Sequence, residues 1–121
     1  MKIKLLLLVF AFVSCKNESK PQDENQVPSV STIERGEQLF TENNCAACHK
    51  IDQKVIGPSL QEIAKIYKEQ NGNMVAFLKE EAPPIVDETM YETMKINLQI
   101  TKTMTEIELK SLEEYIYSQG Q

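Results

Sequence analysis

The sequence predicts an all-α domain of about four short helices over residues 32–121. Three observations carry this expectation. Apolar residues recur at helical spacing in four separate stretches. Two of those stretches open on a capping box. No run alternates apolar and polar residues over a convincing length, so no strand is expected.

The chain begins MKIKLLLLVFAF, two lysines followed by an unbroken apolar run. That is the pattern of a secretory signal over residues 1–14. The run is too short to cross a bilayer core of about 30 Å, which takes roughly 20 apolar residues. Phe12-Val13-Ser14-Cys15 resembles a bacterial lipobox, with Phe12 where Leu is common. The resemblance implies that Cys15 is lipidated and becomes the first residue of an exported, membrane-anchored protein. Residues 16–31 read KNESKPQDENQVPSVS, with two prolines and almost nothing to bury. The lipidated Cys15 and this stretch, residues 15–31, are expected to form a disordered tether. A flexible tether of that length spans roughly 20–25 Å r.m.s..

The first helix is predicted over residues 32–42, started by Ser31 with Glu34. It carries Gly36, Leu39 and Phe40 on one side. The second covers residues 59–69, with Leu60, Ile63, Ala64 and Tyr67 as its stripe. The third covers residues 74–81, capped by Asn73 and ended by Ala82-Pro83-Pro84. Residues 82–104 read as a loop-rich region holding three methionines. The last helix covers residues 106–118, started by Thr105 with Glu108. Its buried face is Leu109, Leu112, Tyr115 and Ile116, and Gly120 follows its end. Four short helices make a thin core. A large apolar cofactor, covalently held, would complete it.

The formal charge of −5 argues against a nucleic-acid partner, which is met by a basic surface. Attention falls on residues 45–50, CAACHK. A structural zinc site wants four ligands. This chain has three cysteines, one of them Cys15 at the signal boundary, and His49 is its sole histidine. A redox dithiol wants a βαβ setting, which is missing. A disulfide across three residues closes too small a loop to stabilise much. C-x-x-C-H reads as c-type haem attachment. Cys45 and Cys48, one helical turn apart, can each take one vinyl group, and His49 can then meet the iron. The export signal agrees, because such haem is attached outside the cytoplasm.

From about residue 34 to residue 118 the chain resembles a small bacterial class I cytochrome c. The resemblance rests on GEQLF leading into CAACH and on Gly57-Pro58-Ser59-Leu60 eight residues after the histidine. It implies a cytochrome c fold around one covalent haem c. It implies that the Pro58 carbonyl accepts a hydrogen bond from His49 Nδ1, an orienting role. Gly57-Pro58 is equally a plain turn before a helix. The family crosses its first and last helices at a glycine–aromatic contact, which Gly36 and Phe40 against Tyr115 fit.

The resemblance also implies a methionine as the second axial ligand of the iron. Met94-Lys95-Ile96-Asn97 is similar to the family's Met-Pro-Pro-Asn ligand loop, without the two prolines. Met94 is therefore the first choice and Met90 the second. Met74 and Met104 read as packing residues. His and Met together leave no open iron position, which suits an electron carrier and no enzyme or small-molecule substrate. Its partners would be a redox donor and a redox acceptor protein. Lys50, Lys54, Lys95 and Lys102 lie near the two ligand segments and would attract an acidic partner if they ringed an exposed haem edge. A solvated mixed-charge surface is the plainer reading of them. Two alternatives stay open: a haem lipoprotein with an open iron, as a sensor, a peroxidase-like protein or a fixed subunit of a larger complex, and an interaction lipoprotein with structural cysteines.

Overall fold

A computed structural model describes residues 31–121. The expected signal segment, Cys15 and residues 15–30 of the expected tether lie outside the described residues. Five helices follow in order: α1 Thr32–Glu42, α2 Leu60–Glu69, α3 Met74–Leu78, α4 Tyr91–Thr101 and α5 Glu106–Gln119. Short 3-10 turns sit at Cys45–Ala47 and Glu88–Met90. Among the described residues there is no strand, only an isolated bridge between His49 and Lys54. The all-α class is as predicted.

Both predicted capping boxes form. Ser31 Oγ accepts from the Glu34 N–H while Glu34 accepts from the Ser31 N–H, and Thr105 and Glu108 do the same for α5. Helices α1 and α5 cross where Gly36 meets α5. A Cβ at Gly36 would run into the Ser111 carbonyl and the Tyr115 Cβ. That absence of a side chain lets Phe40 reach Tyr115, ring centroids 5.4 Å apart and tilted by 52°. Such an aromatic pair contributes about 0.5–1.5 kcal/mol beyond its area burial. Leu109, Leu112 and Ile116 complete the buried face of α5, and Leu60, Ala64 and Tyr67 bring α2 against the same core.

The predicted loop-rich region over residues 82–104 needs correction, because it contains α4. The third helix is also shorter than expected and ends at Leu78. The reason for the missed helix is its burial pattern. Of α4, only Leu98 and Thr101 are buried, so no apolar stripe of helical period marks it. Its start is marked instead by Asp87, whose carboxylate accepts from the Thr89 and Met90 N–H groups and caps the 3-10 turn that runs into α4. Thr101 Oγ1 donates to the Leu78 carbonyl over 2.6 Å and ties the end of α4 to α3.

Candidate functional site

The end of α1 aims the chain at the site. Asn43 Nδ2 donates to the Leu39 carbonyl over 2.8 Å and closes the helix. Asn44 then takes a left-handed φ of 58°, which asparagine tolerates, and turns the chain sharply. Cys45–Ala47 form the 3-10 turn, and the Cys48 and His49 N–H groups both donate back to the Cys45 carbonyl. Cys45, Cys48 and His49 are thus held on one tight turn. The two thiols are unbridged and half-buried. Burial is the main cause that pushes the Cys45 thiol up, with nearby Cys48 adding to it against a lowering backbone hydrogen bond. The thiol therefore stays protonated at neutral pH.

The next ten residues fold back beneath the histidine. Gly57 N–H donates to the Cys48 carbonyl over 2.9 Å, and Leu60 N–H to the Lys50 carbonyl over 2.8 Å. This brings Pro58 to His49: Nδ1–H donates to the Pro58 carbonyl oxygen over 2.8 Å. A carbonyl can only accept, so Nδ1 carries a proton, which leaves Nε2 as the nitrogen through which His49 could bind a metal. Gly57 lies flat against the same ring. A Cβ there would stand 2.5 Å from His49 Cε1 and 2.9 Å from Nδ1. The sequence offered Gly57 only as part of a turn. The Gly-Pro pair after C-x-x-C-H is the signal from which its contact could have been anticipated.

Cys45, Cys48, His49 and Pro58 line one apolar cleft, which holds about 1150 Å³ of empty space, its open mouth included. Phe40, Leu60, Tyr67 and Leu112 contribute to its walls. Met90 and Met94 line the same cleft. They stand four apart, so they share one side of α4 and of the turn that leads into it. Met94 therefore lies on a helix where a loop was expected. Met74 also reaches the cleft and is 2% exposed, whereas Met104 is half-buried against the core and lies away from it. Among the described residues no three His, Cys, Asp or Glu side chains converge as a metal site.

The four lysines do not form an unpaired basic ring. Lys54 Nζ bonds Asp87 over 2.7 Å, and Lys102 Nζ bonds Glu80 over 2.6 Å. Lys50 Nζ donates to the Ala46 carbonyl, and Lys95 sits 5.7 Å over the Tyr91 ring. Lys54 is the chief cause that lowers the Asp87 carboxyl to about 2. Part of what lines the cleft is both apolar and exposed. Ile56 and Ile100 line the cleft yet remain exposed, and exposed Ile51 and Val55 share the loop of Ile56.

A family model described as Cytochrome c matches residues 33–120. Cytochrome c-551 of Azotobacter vinelandii is 44% identical over 39 residues, 32% of this chain and 48% of that protein. Cytochrome c-551 of Pseudomonas denitrificans is 42% identical over 43 residues, 36% of this chain and 51% of that protein. Cytochrome c2 of Rubrivivax gelatinosus is 54% identical over 35 residues, 29% of this chain and 41% of that protein. The matched stretches thus span about half of these relatives' length.

Proposed function

This chain belongs to the cytochrome c family, whose members hold haem c covalently, and from that premise we propose that it is a mono-haem electron carrier. Cys45 and Cys48 would hold haem c through thioethers, and His49 and Met94, with Met90 as second choice, would bind its iron. Haem c, when bound, supplies the one-electron couple of ferric and ferrous iron. The chain's own residues set the rest. The Pro58 carbonyl holds the Nδ1 proton of His49, which fixes the tautomer and raises the donor strength of Nε2. Gly57 lets the backbone close on the ring. Apolar walls keep water away from the charge that changes, and a methionine thioether favours the ferrous state. The carrying observation is that the C-x-x-C-H turn, with His49 held by Pro58, and two methionines line one apolar cleft.

Redox donor and acceptor proteins meet such a carrier at the mouth of its cleft. The exposed Ile56 and Ile100 that line the cleft, with exposed Ile51 and Val55 on the loop of Ile56 and with Lys54 and Lys102 already paired with carboxylates, support an apolar docking face. Export, lipidation at Cys15 and a tether over residues 15–31 complete the reading, giving a carrier anchored to a bacterial membrane and facing the periplasm or the outer surface. The run of residues 1–12 and the lipobox-like Phe12-Val13-Ser14-Cys15 support it. Anchoring by two or three acyl chains is nearly permanent, at about 0.8 kcal/mol per buried methylene. It would keep the carrier at high local concentration near membrane partners.

The test is carbon monoxide added to the reduced holoprotein. A closed, methionine-ligated iron predicts a low-spin spectrum that carbon monoxide leaves unchanged. A high-spin spectrum that shifts with carbon monoxide would make the protein a ligand binder and overturn the carrier reading.

A further inference from the structure

Helix α4 covers the cleft without a packed core of its own. Met94, Asn97 and Thr101, with Met90 at its start, stand three and four apart and all line the cleft. Of its apolar residues Leu98 is the one buried, while Ile96 is 74% exposed. Besides Leu98 and the contact of the Tyr91 ring with Phe77, polar contacts fasten the two ends. Near the C-terminal end, Lys102 Nζ donates to Glu80 Oε2 over 2.6 Å, and Gln99 Nε2 donates to the same oxygen over 3.2 Å. Before the N-terminal end, Asp87 takes the Lys54 ammonium over 2.7 Å, which joins the segment under His49 to the segment leading into α4.

Glu80 is unusual for its place in the chain. It follows α3, where its own N–H donates to the Phe77 carbonyl over 2.9 Å and the Glu81 N–H donates to the Ala76 carbonyl over 2.8 Å. Those two bonds make a Schellman ending, whose left-handed residue is usually glycine. Glu80 adopts that conformation, φ 58°, with a full side chain. The side chain is 14% exposed and lies along the ends of α3 and α4. A side chain is thus kept where the turn alone selects against one, and it is spent entirely on α4 and the lysine after it.

We propose that Glu80 is a positioning residue: its carboxylate, with the Lys54–Asp87 pair at the other end, clamps α4 across the cleft and so sets how firmly the α4 methionine holds the iron. The proposal rests on the methionine-ligated reading above. The Glu80 end of the clamp lies between the ends of α3 and α4, away from the His49–Pro58 bond, while the Lys54–Asp87 end reaches across to the segment bridged to His49. It holds whether the ligand is Met94 or Met90, because both ride on the clamped segment.

The experiment uses the full holoprotein and titrates the ferric form with imidazole, which competes with methionine for the iron. The far-red charge-transfer band of methionine-ligated ferric haem and the thermal midpoint are recorded alongside. Glu80→Gly suits the left-handed backbone, so it is expected to unfold within about 5 °C of wild type. It is also expected to bind imidazole about two- to fivefold more tightly. Lys102→Met reproduces the tighter binding without touching the turn, and Lys102→Arg restores wild-type behaviour. Wild type that shows the band, with Glu80→Gly and Lys102→Met binding imidazole as it does, overturns the clamp alone. Wild type without the band overturns the methionine reading and the clamp with it.

Discussion

Gly57→Ala isolates the contact that holds His49. No glycine of the described residues has a positive φ, so alanine is compatible with the backbone at residue 57. In such a turn Gly→Ala alone would stabilise by about 0.4–1 kcal/mol, through the unfolded chain. The structure predicts the opposite sign. The new Cβ would stand 2.5 Å from His49 Cε1, where carbon atoms at rest stay about 3.5–4.0 Å apart. The ring or the loop must therefore give way by about 1 Å. The His49–Pro58 bond of 2.8 Å would stretch past the range in which a hydrogen bond survives. Overpacking costs about 1–3 kcal/mol and the lost bond about 0.5–1.5 kcal/mol. Set against the gain of about 0.4–1 kcal/mol, the net loss is about 0.5–4 kcal/mol, which lowers the midpoint of a domain of this size by roughly 2–30 °C. Thermal unfolding of the holoprotein, followed by far-ultraviolet dichroism, reads this directly. A midpoint equal to or above that of wild type would mean that the His49 ring does not constrain position 57.

Gly36→Ala should destabilise by about 1–3 kcal/mol, since its Cβ meets the Ser111 carbonyl where backbone faces backbone; urea unfolding with an unchanged midpoint would contradict this. The Glu108 carboxyl is held below its ordinary 4.5, first by the Thr105 N–H, then by the Thr105 hydroxyl and Arg35. Its stabilising contribution is full above pH 4.5 and is lost as pH falls from there through the lowered value. Glu108→Gln should flatten the acid side of the stability profile below pH 4.5, and equal slopes for both proteins would count against the capping box. Cys45→Ala should leave a protein attached to haem through one thioether, seen as a red-shifted reduced spectrum relative to wild type; an identical spectrum would remove Cys45 from the attachment.

The legible parts of this fold are those whose signal is local. Ser31 with Glu34 and Thr105 with Glu108 mark the starts of α1 and α5 within four residues, and both boxes form. CAACH likewise carries its chemistry in five consecutive residues. Helix α4 was illegible because its inward residues, Met94, Asn97 and Thr101, line an apolar cleft, the proposed haem site, and not a side-chain core. A stripe that packs on a cofactor need not read as apolar. The turn at Glu80 was hidden for a related reason. Its left-handed conformation is announced by glycine in most helices, and here a carboxylate occupies it. The pairings of Lys54 and Lys102 span 33 and 22 residues, so their partners were not legible locally, although the plainer reading of these lysines as part of a mixed-charge surface agrees with them. The Gly57 contact combined both difficulties, a local dipeptide whose partner ring arrives from eight residues earlier.

The central claim is that His49 and an α4 methionine close the iron of one covalent haem. The ferric absorption spectrum of wild type beside Met94→Ala and Met90→Ala tests it most directly. Ligation by Met94 predicts a far-red methionine–iron band in wild type and in Met90→Ala, lost in Met94→Ala. A band that survives Met94→Ala and is lost in Met90→Ala would move the ligand to Met90, and a band that survives both, or a high-spin wild type without it, would contradict a methionine-closed iron.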